Sequence, residues 1–151
     1  LDLPRKPGTY VLFLHLRESR TVTVGRLGAV AFPAGFYAYV GSARGSGGLA
    51  ARVARHLRDP KPHHWHIDAL REHARPLRLW LSEGPQGREC VWAGVLSRLP
   101  GASLPAPRFG ASDCRCPAHL IRFAALPDCA RFARAVGEVV EEVVLDGSRL
   151  E

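Results

Sequence analysis

The hydrophobic pattern changes period several times along the chain. "GTYVLFLHL" and "RTVTVGRL" are strand-like runs flanking the polar tripeptide "RES", so residues 9–16 and 20–27 predict a β-hairpin. "GFYAYVGS" reads as a further strand that ends where glycines begin. The period then lengthens: Leu49, Val53 and Leu57 recur every four residues, which predicts an amphipathic helix over 48–58. "DPKPHH" breaks the chain before "WHIDALREHA", a second predicted helix. "LRLWLSE" predicts a strand, "GPQG" a turn, and "ECVWAGVLSRL" a third helix with Glu89 in its first turn.

Beyond that helix, "PGASLPAPRFGASDCRCP" is rich in Pro, Gly and Ser and predicts a long ordered loop, a feature uncommon unless it serves a function. "HLIRFAAL" predicts a last strand. "DCARFARAVGEVVEEVVLDG" predicts a C-terminal helix that starts at Asp128 and ends near Gly147. In it Phe132, Val136, Val139, Val140, Val143 and Val144 read as packing, Cys129 as part of the core, and Glu138, Glu141 and Glu142 as the solvated face. The element order points to a compact α/β or α+β domain with a small, mostly antiparallel central sheet flanked by helices.

Composition narrows the picture. A chain of 151 residues, 46 % apolar, is long enough for one buried core, and there is no internal repeat or linker. The net charge is +7 and the pI about 9.9. Nearly all of the 21 cationic residues are Arg, with Lys only at positions 6 and 61. Arg pairs bidentately with phosphate oxygens, so an Arg-rich basic domain suits a nucleic acid partner; a GC-rich genome is the other source of such a bias. The cysteines at 90, 114, 116 and 129 form no secreted disulfide pattern, and no apolar run is long enough to span a membrane. "YVLFLHL" is too short and lacks the cleavage site of a signal peptide, so the expected location is cytoplasmic.

The stretch "YAYVGSARGSGGLAARVARH", ending at His56, carries the first chemistry. It has no Gly-Lys-Ser/Thr and no G-x-G-x-x-G, so no nucleotide cofactor is expected. Arg52 and His56 lie one turn apart on a helix face, with Arg55 beside them. That face is a solvated basic surface or a phosphate site. Flexible glycines and free N–H groups at the helix start favour the second, as do Tyr37 and Tyr39 on one face of the preceding strand. Arg44, Arg55, Arg58 and Lys61 are the expected nucleic-acid contacts.

"GTY" at 8–10, "YVG" at 39–41 and Arg52 on the following helix resemble the GIY-YIG nuclease superfamily. "YVGSARGSGGLAARVARH", "HWHID" and "FGASDCRCPAHL" are most similar to a small prokaryotic branch of uncharacterised domains, sometimes fused to endonuclease III-type repair glycosylases. The resemblance covers about residues 8–120. It implies a GIY-YIG-like domain over residues 1–151 that hydrolyses DNA phosphodiesters, in repair or recombination, with one divalent cation, Mg²⁺ or Mn²⁺. Tyr10 and Tyr39 match the motif tyrosines, Arg52 the helix arginine, Glu89 the metal-binding glutamate, and His56 a position often His or Tyr. Either tyrosine is a candidate for activating water, which requires nearby positive charge to lower a pKa near 10. The interval from Tyr10 to Tyr39 is longer than in typical relatives. An asparagine common after the glutamate helix is absent, which leaves Ser112 or Asp113 as substitutes.

Two further clusters remain. In "HHWHID", His64 and Asp68 sit one turn apart as possible co-ligands; Trp65 and Ile67 equally suit anchoring the helix, and His66 is expected near the site either as a support behind the reacting groups or as a proton relay. "CRCPAH" offers Cys114, Cys116 and His119, with Cys90 as a fourth ligand for zinc. Its C-x-C spacing is tight for zinc, so a loop packed by reduced thiols is the preferred reading, and a thiolate served by His119 is a third. The two alternatives to a nuclease are a non-catalytic nucleic-acid-binding module and a zinc-supported structural domain.

Overall fold

The computed structural model describes residues 1–59 and 61–146. The first strand, β1 (Gly8–Leu16), is the centre of the fold, and both of its edges are in use. It pairs antiparallel with β4 (Gly35–Ala43) on one side and with β5 (Arg75–Glu83) on the other. β6 (Leu120–Phe123) adds to the outer edge of β4, and β7 (Glu141–Val144) to that of β5, again antiparallel. The five-stranded order is β6-β4-β1-β5-β7, and the architecture is α+β. β1 is almost entirely buried, which explains a run that is apolar on both faces.

Because β1 has no free edge, the expected hairpin between 9–16 and 20–27 does not form. β2 (Arg20–Val24) instead pairs with β3 (Gly28–Phe32), a strand the pattern did not predict, in a separate two-stranded sheet. A single 3-10 turn, Gly25–Leu27, connects them.

Successive side chains of a strand point to opposite faces, so the sheet divides the core in two. Tyr10, Leu12, Tyr37 and Tyr39 face α1 (Gly48–Leu57), α2 (His66–Arg71) and the β2–β3 hairpin. Val11, Phe13, Val40 and Trp80 face α3 (Glu89–Ser97) and α4 (Cys129–Val136). Among the described residues no helix is long and apolar enough to cross a membrane.

The expected C-terminal helix over 128–147 is overturned in its second half. α4 starts at Asp128, whose carboxylate accepts from the Ala130 amide, but stops at Gly137 in the left-handed region (φ 70°). The chain then turns into β7 on the sheet edge; Gly147 lies outside the described residues. Glu141 stays exposed, but the other two glutamates have structural work. Glu138 accepts from the Trp92 indole N–H at 3.0 Å and pairs with Arg88, and Glu142 accepts from the Trp80 indole N–H at 2.7 Å. Val139 and Val144 are exposed rather than packed. "VVEEVV" suits either a helix or a strand, and the left-handed glycine before it decides for the strand.

Other elements keep their identity with shifted ends. α2 stops at Arg71, β5 begins at Arg75, and β6 spans only Leu120–Phe123. The long loop is present over residues 98–119, held to β6 by reciprocal backbone hydrogen bonds between Ser103 and Arg122.

The two glycines of "GTY" and "YVG" are required by close approach. A Cβ at Gly41 would sit 2.5 Å from the Tyr10 hydroxyl oxygen, and one at Gly8 would sit 2.5 Å from the Ser82 carbonyl oxygen. Gly41 faces Tyr10 across the β1–β4 ladder, so the motif glycine leaves the space that the motif tyrosine fills.

Candidate functional site

The glycine loop does not offer an open helix N-terminus. The amide of Gly48 donates to Gly45, that of Leu49 to the Lys6 carbonyl at 2.9 Å, and that of Ala50 to the Pro4 carbonyl at 2.8 Å. The N-terminal segment thus satisfies the donors expected to be free for an anion. Gly48 is glycine for the same reason: its φ is +58°, and a Cβ would lie 2.3 Å from the Lys6 carbonyl oxygen.

What the loop and helix do assemble is a cluster of rings under a guanidinium. His56, on the helix face read as either a solvated surface or a phosphate site, is buried. Its Nε2 shares a 2.6 Å hydrogen bond with the Tyr10 hydroxyl, and its ring meets Tyr39 edge-on at 5.8 Å. Arg52, one turn earlier, lies over the Trp65 ring at 4.5 Å. No carboxylate among the described residues pairs with Arg52. A cleft of about 160 Å³ runs beside it, bordered by Ala43, Ser46 and Ala51. Tyr37 shares the face of Tyr39 but points away, its hydroxyl donating to the Pro33 carbonyl.

Burial dominates the titration of the cluster. It pushes the Tyr10 phenol far above the usual tyrosine range, with the Tyr39 charge adding to the effect and Arg52 opposing it. Tyr39 is pushed up to about 12 by burial, against the pull of Arg52. The arginine lowers the phenol as expected, but desolvation outweighs it. His56 falls to about 3 through burial, aided by Arg52 and Arg55 and resisted by Asp68, so it is neutral at pH 7.

Arg55 and Lys61 are not the free nucleic-acid contacts that the sequence suggests. Arg55 forms a bidentate pair with buried Asp68 at 2.9 and 3.0 Å and lies over the Trp65 ring. Lys61 donates to the carbonyls of His56 and Arg58, closing the C-terminus of α1. Arg58 remains exposed at that end, and Arg44 is exposed but ion-paired.

Asp68 also accepts the backbone amides of His64 and Trp65 at 2.7 and 2.9 Å, which caps the start of α2. Burial tends to raise its pKa; Arg55 and the two amides overcome this and hold it at about 2. With both its oxygens so occupied, Asp68 is not free to share a metal with His64, and the anchoring reading of the segment is the one its contacts fit.

Glu89 opens α3, as the sequence suggests, and lies near enough to Tyr39 and His119 for its charge to oppose ionisation of the phenol and favour that of the imidazole. One carboxylate oxygen receives Arg44 at 3.0 Å; the other is buried without a partner. That spare oxygen fits a hard cation such as Mg²⁺ or Mn²⁺, which takes few protein ligands and keeps its waters.

Of the two roles expected for His66, its contacts fit the support rather than the relay. Its Nδ1 accepts the Gly110 amide at 2.8 Å, and its ring packs on Phe109, which stands between it and Tyr39. It fastens the long loop. Gly110 lies against Tyr39, so the loop forms one wall of the site. Arg108, at a positive φ of 67°, donates to the carbonyls of Ala111, Cys114 and Cys116 and shapes the loop from inside. Ser112 and Asp113, the suggested substitutes for asparagine, are exposed on it.

The same loop brings Cys114, Cys116 and His119 to Cys90, and the four ligand atoms lie within 4.8 Å of one another. This group could hold a metal ion; all four cysteines of the chain are free thiols. Two roles escaped the sequence. Trp65 serves as a platform for two arginines, signalled only by an aromatic residue beside a basic helix. Arg108 organises the loop and left no local signal.

Residues 9–142 match the family model described as Domain of unknown function DUF123. The chain belongs to this family. The matched span contains every residue of the ring cluster, Glu89 and the Cys–His group, so the DUF123 domain includes the whole candidate site. No curated protein and no solved structure matches the chain.

Proposed function

We propose that this chain is a metal-dependent endonuclease that hydrolyses DNA phosphodiester bonds in repair or recombination substrates, the activity implied by its resemblance to GIY-YIG nucleases. The observation that supports it best is the convergence of Tyr10, Tyr39, His56 and Arg52, from β1, β4 and α1, with the Glu89 charge close enough to act on Tyr39.

Arg52 has no competing carboxylate among the described residues and borders the cleft, so it grips the phosphate oxygens. Tyr39 is 7 % exposed whereas Tyr10 is fully buried, which makes Tyr39 the phenol that meets the attacking water and Tyr10 its support. Neutral His56 holds Tyr10 and packs on Tyr39, fixing both rings. Glu89, whose second oxygen is buried without a partner beside the Arg44 pair, would hold the Mg²⁺ or Mn²⁺. That cation, when bound, neutralises phosphate charge and stabilises the leaving oxygen. Arg44 and Arg58 remain as exposed contacts for the DNA backbone.

A second reading, a DNA-binding module without catalysis, is favoured by one observation: the Tyr39 pKa of about 12 leaves almost no phenolate at pH 7 unless DNA and cation change it. Nicking of supercoiled plasmid with Mg²⁺ or Mn²⁺ separates the two. The enzyme reading expects the wild type to nick, and Arg52→Ala and Glu89→Gln to lose about 100-fold or more in rate while remaining folded. DNA binding by the wild type without any nicking replaces the first reading with the second.

A further inference from the structure

The proposed nuclease leaves one group of reactive side chains unused. Cys90 sits in the first turn of α3; Cys114, Cys116 and His119 come from the end of the long loop. The four ligand atoms all lie within 4.8 Å of one another, and no disulfide joins the thiols. The Cys90 and Cys114 sulfurs stand 3.7 and 3.4 Å from His119 Nε2. With zinc bonds of about 2.3 Å to sulfur and about 2.0 Å to nitrogen, the S···N edge of a tetrahedron is about 3.5 Å. The two sulfur–imidazole edges already have about that length, and Cys116 lies within the same 4.8 Å group.

We propose that Cys90, Cys114, Cys116 and His119 bind one structural Zn²⁺ that fastens the long loop to α3. The donor set decides the metal. Three soft thiols and an imidazole select zinc over the hard cations that suit a carboxylate. Four protein ligands close the coordination sphere, which makes the ion structural rather than catalytic. A nucleophilic thiol served by His119 would need two of these groups and leaves the convergence of the other two unexplained.

The surroundings fix the ligands before the metal arrives. Arg108 holds the carbonyls of Cys114 and Cys116 from inside the loop. The His119 backbone bonds to the Phe109 carbonyl at 2.7 Å and to the Val40 amide at 2.9 Å. The sequence offers the same four ligands; only the fold shows that a tight C-x-C pair is completed by a cysteine well upstream. The zinc assignment stands without the nuclease reading. One consequence rests on that reading: Cys90 adjoins Glu89 and His119 bonds to the neighbour of Tyr39, so the ion ties together two sides of the proposed active site.

The test is metal analysis of the untagged chain, purified under reducing conditions without chelator. About one zinc per chain is expected. Replacement by Co²⁺ should give the intense visible bands and thiolate charge transfer of tetrahedral S₃N ligation. A chelator should lower the melting temperature and expose Cys90, Cys114 and Cys116 to a thiol reagent, while Cys129 reacts alike with and without metal. Cys116→Ser and Cys114→Ser should each lose stoichiometric zinc; if either fails to fold, the wild-type Co²⁺ spectrum decides. A chain that takes up no zinc on titration, shows no tetrahedral cobalt spectrum and keeps its thiols reactive overturns the proposal. None of these readouts depends on nicking, so the zinc site and the nuclease stand or fall separately.

Discussion

The Tyr10 hydroxyl and His56 Nε2 lie 2.6 Å apart, although β1 and α1 are separated by the whole β2–β3 hairpin and β4. This buried hydrogen bond ties the central strand to the helix that carries Arg52. Its imidazole is held neutral down to about pH 3 by burial. The unfolded chain takes up that proton near pH 6.5, so it binds more protons than the folded chain between about pH 6.5 and 3. The stability this burial permits is full above pH 6.5 and falls as the pH drops through that window. His66, also lowered by burial, adds the same sign. We expect His56→Phe to be about 1–3 kcal/mol less stable at pH 7.5, because it strands the Tyr10 hydroxyl, yet to lose less on going to pH 5. Urea midpoints at the two pH values check this; parallel pH profiles for the two proteins contradict it.

Gly41→Ala should destabilise by about 1–3 kcal/mol, the usual cost of overpacking a filled core. The new methyl would meet the Tyr10 hydroxyl oxygen at 2.5 Å. Adding Tyr10→Phe removes that oxygen, so the double variant should recover part of the loss attributed to Gly41→Ala, measured against Tyr10→Phe alone. Strict additivity in a double-mutant cycle would contradict the contact.

Arg52 and Arg55 share the Trp65 ring but should behave oppositely. Asp68→Ala breaks a buried ion pair and two amide bonds, leaving Arg55 uncompensated, and should cost about 3–5 kcal/mol. Arg52→Ala, which loses no ion pair among the described residues, should shift stability by about 1 kcal/mol or less. Thermal melts of the two variants compare them directly. An Arg52 variant as unstable as the Asp68 variant would assign Arg52 to the scaffold.

Arg44 pairs with Glu89, the carboxylate assigned to a cation under the nuclease proposal. If the nuclease reading holds, Arg44→Ala should lower the Mg²⁺ concentration for half-maximal nicking by about threefold, a change on the scale of a surface ion pair. It should also weaken DNA binding, since an exposed cation is lost. A higher metal requirement would mean that Arg44 supports the site rather than competing for it.

The residue pattern determined the local elements and supplied the chemical groups. Period-four spacing placed α1, polar-to-apolar switches placed β1, β4 and β5, and Glu89 stands at the start of α3 as its position suggested. These features are local, set by side chains a few residues apart. Pairing is not local. Only the assembled sheet could show that β1 is full on both edges, so that β2 had to find β3, and that "VVEEVV" had an open edge of β5 to join. Burial is equally collective: Lys6 and Pro4 consumed the amides of α1, Asp68 claimed Arg55, and His56 went inward to Tyr10. The four Cys and His residues were named from the sequence, but that Cys90 meets them within 4.8 Å is decided by the packing of α3 against the loop. Charge and hydrogen-bonding capacity are written residue by residue, but which partner satisfies each is decided by distance in space, which only tertiary packing sets.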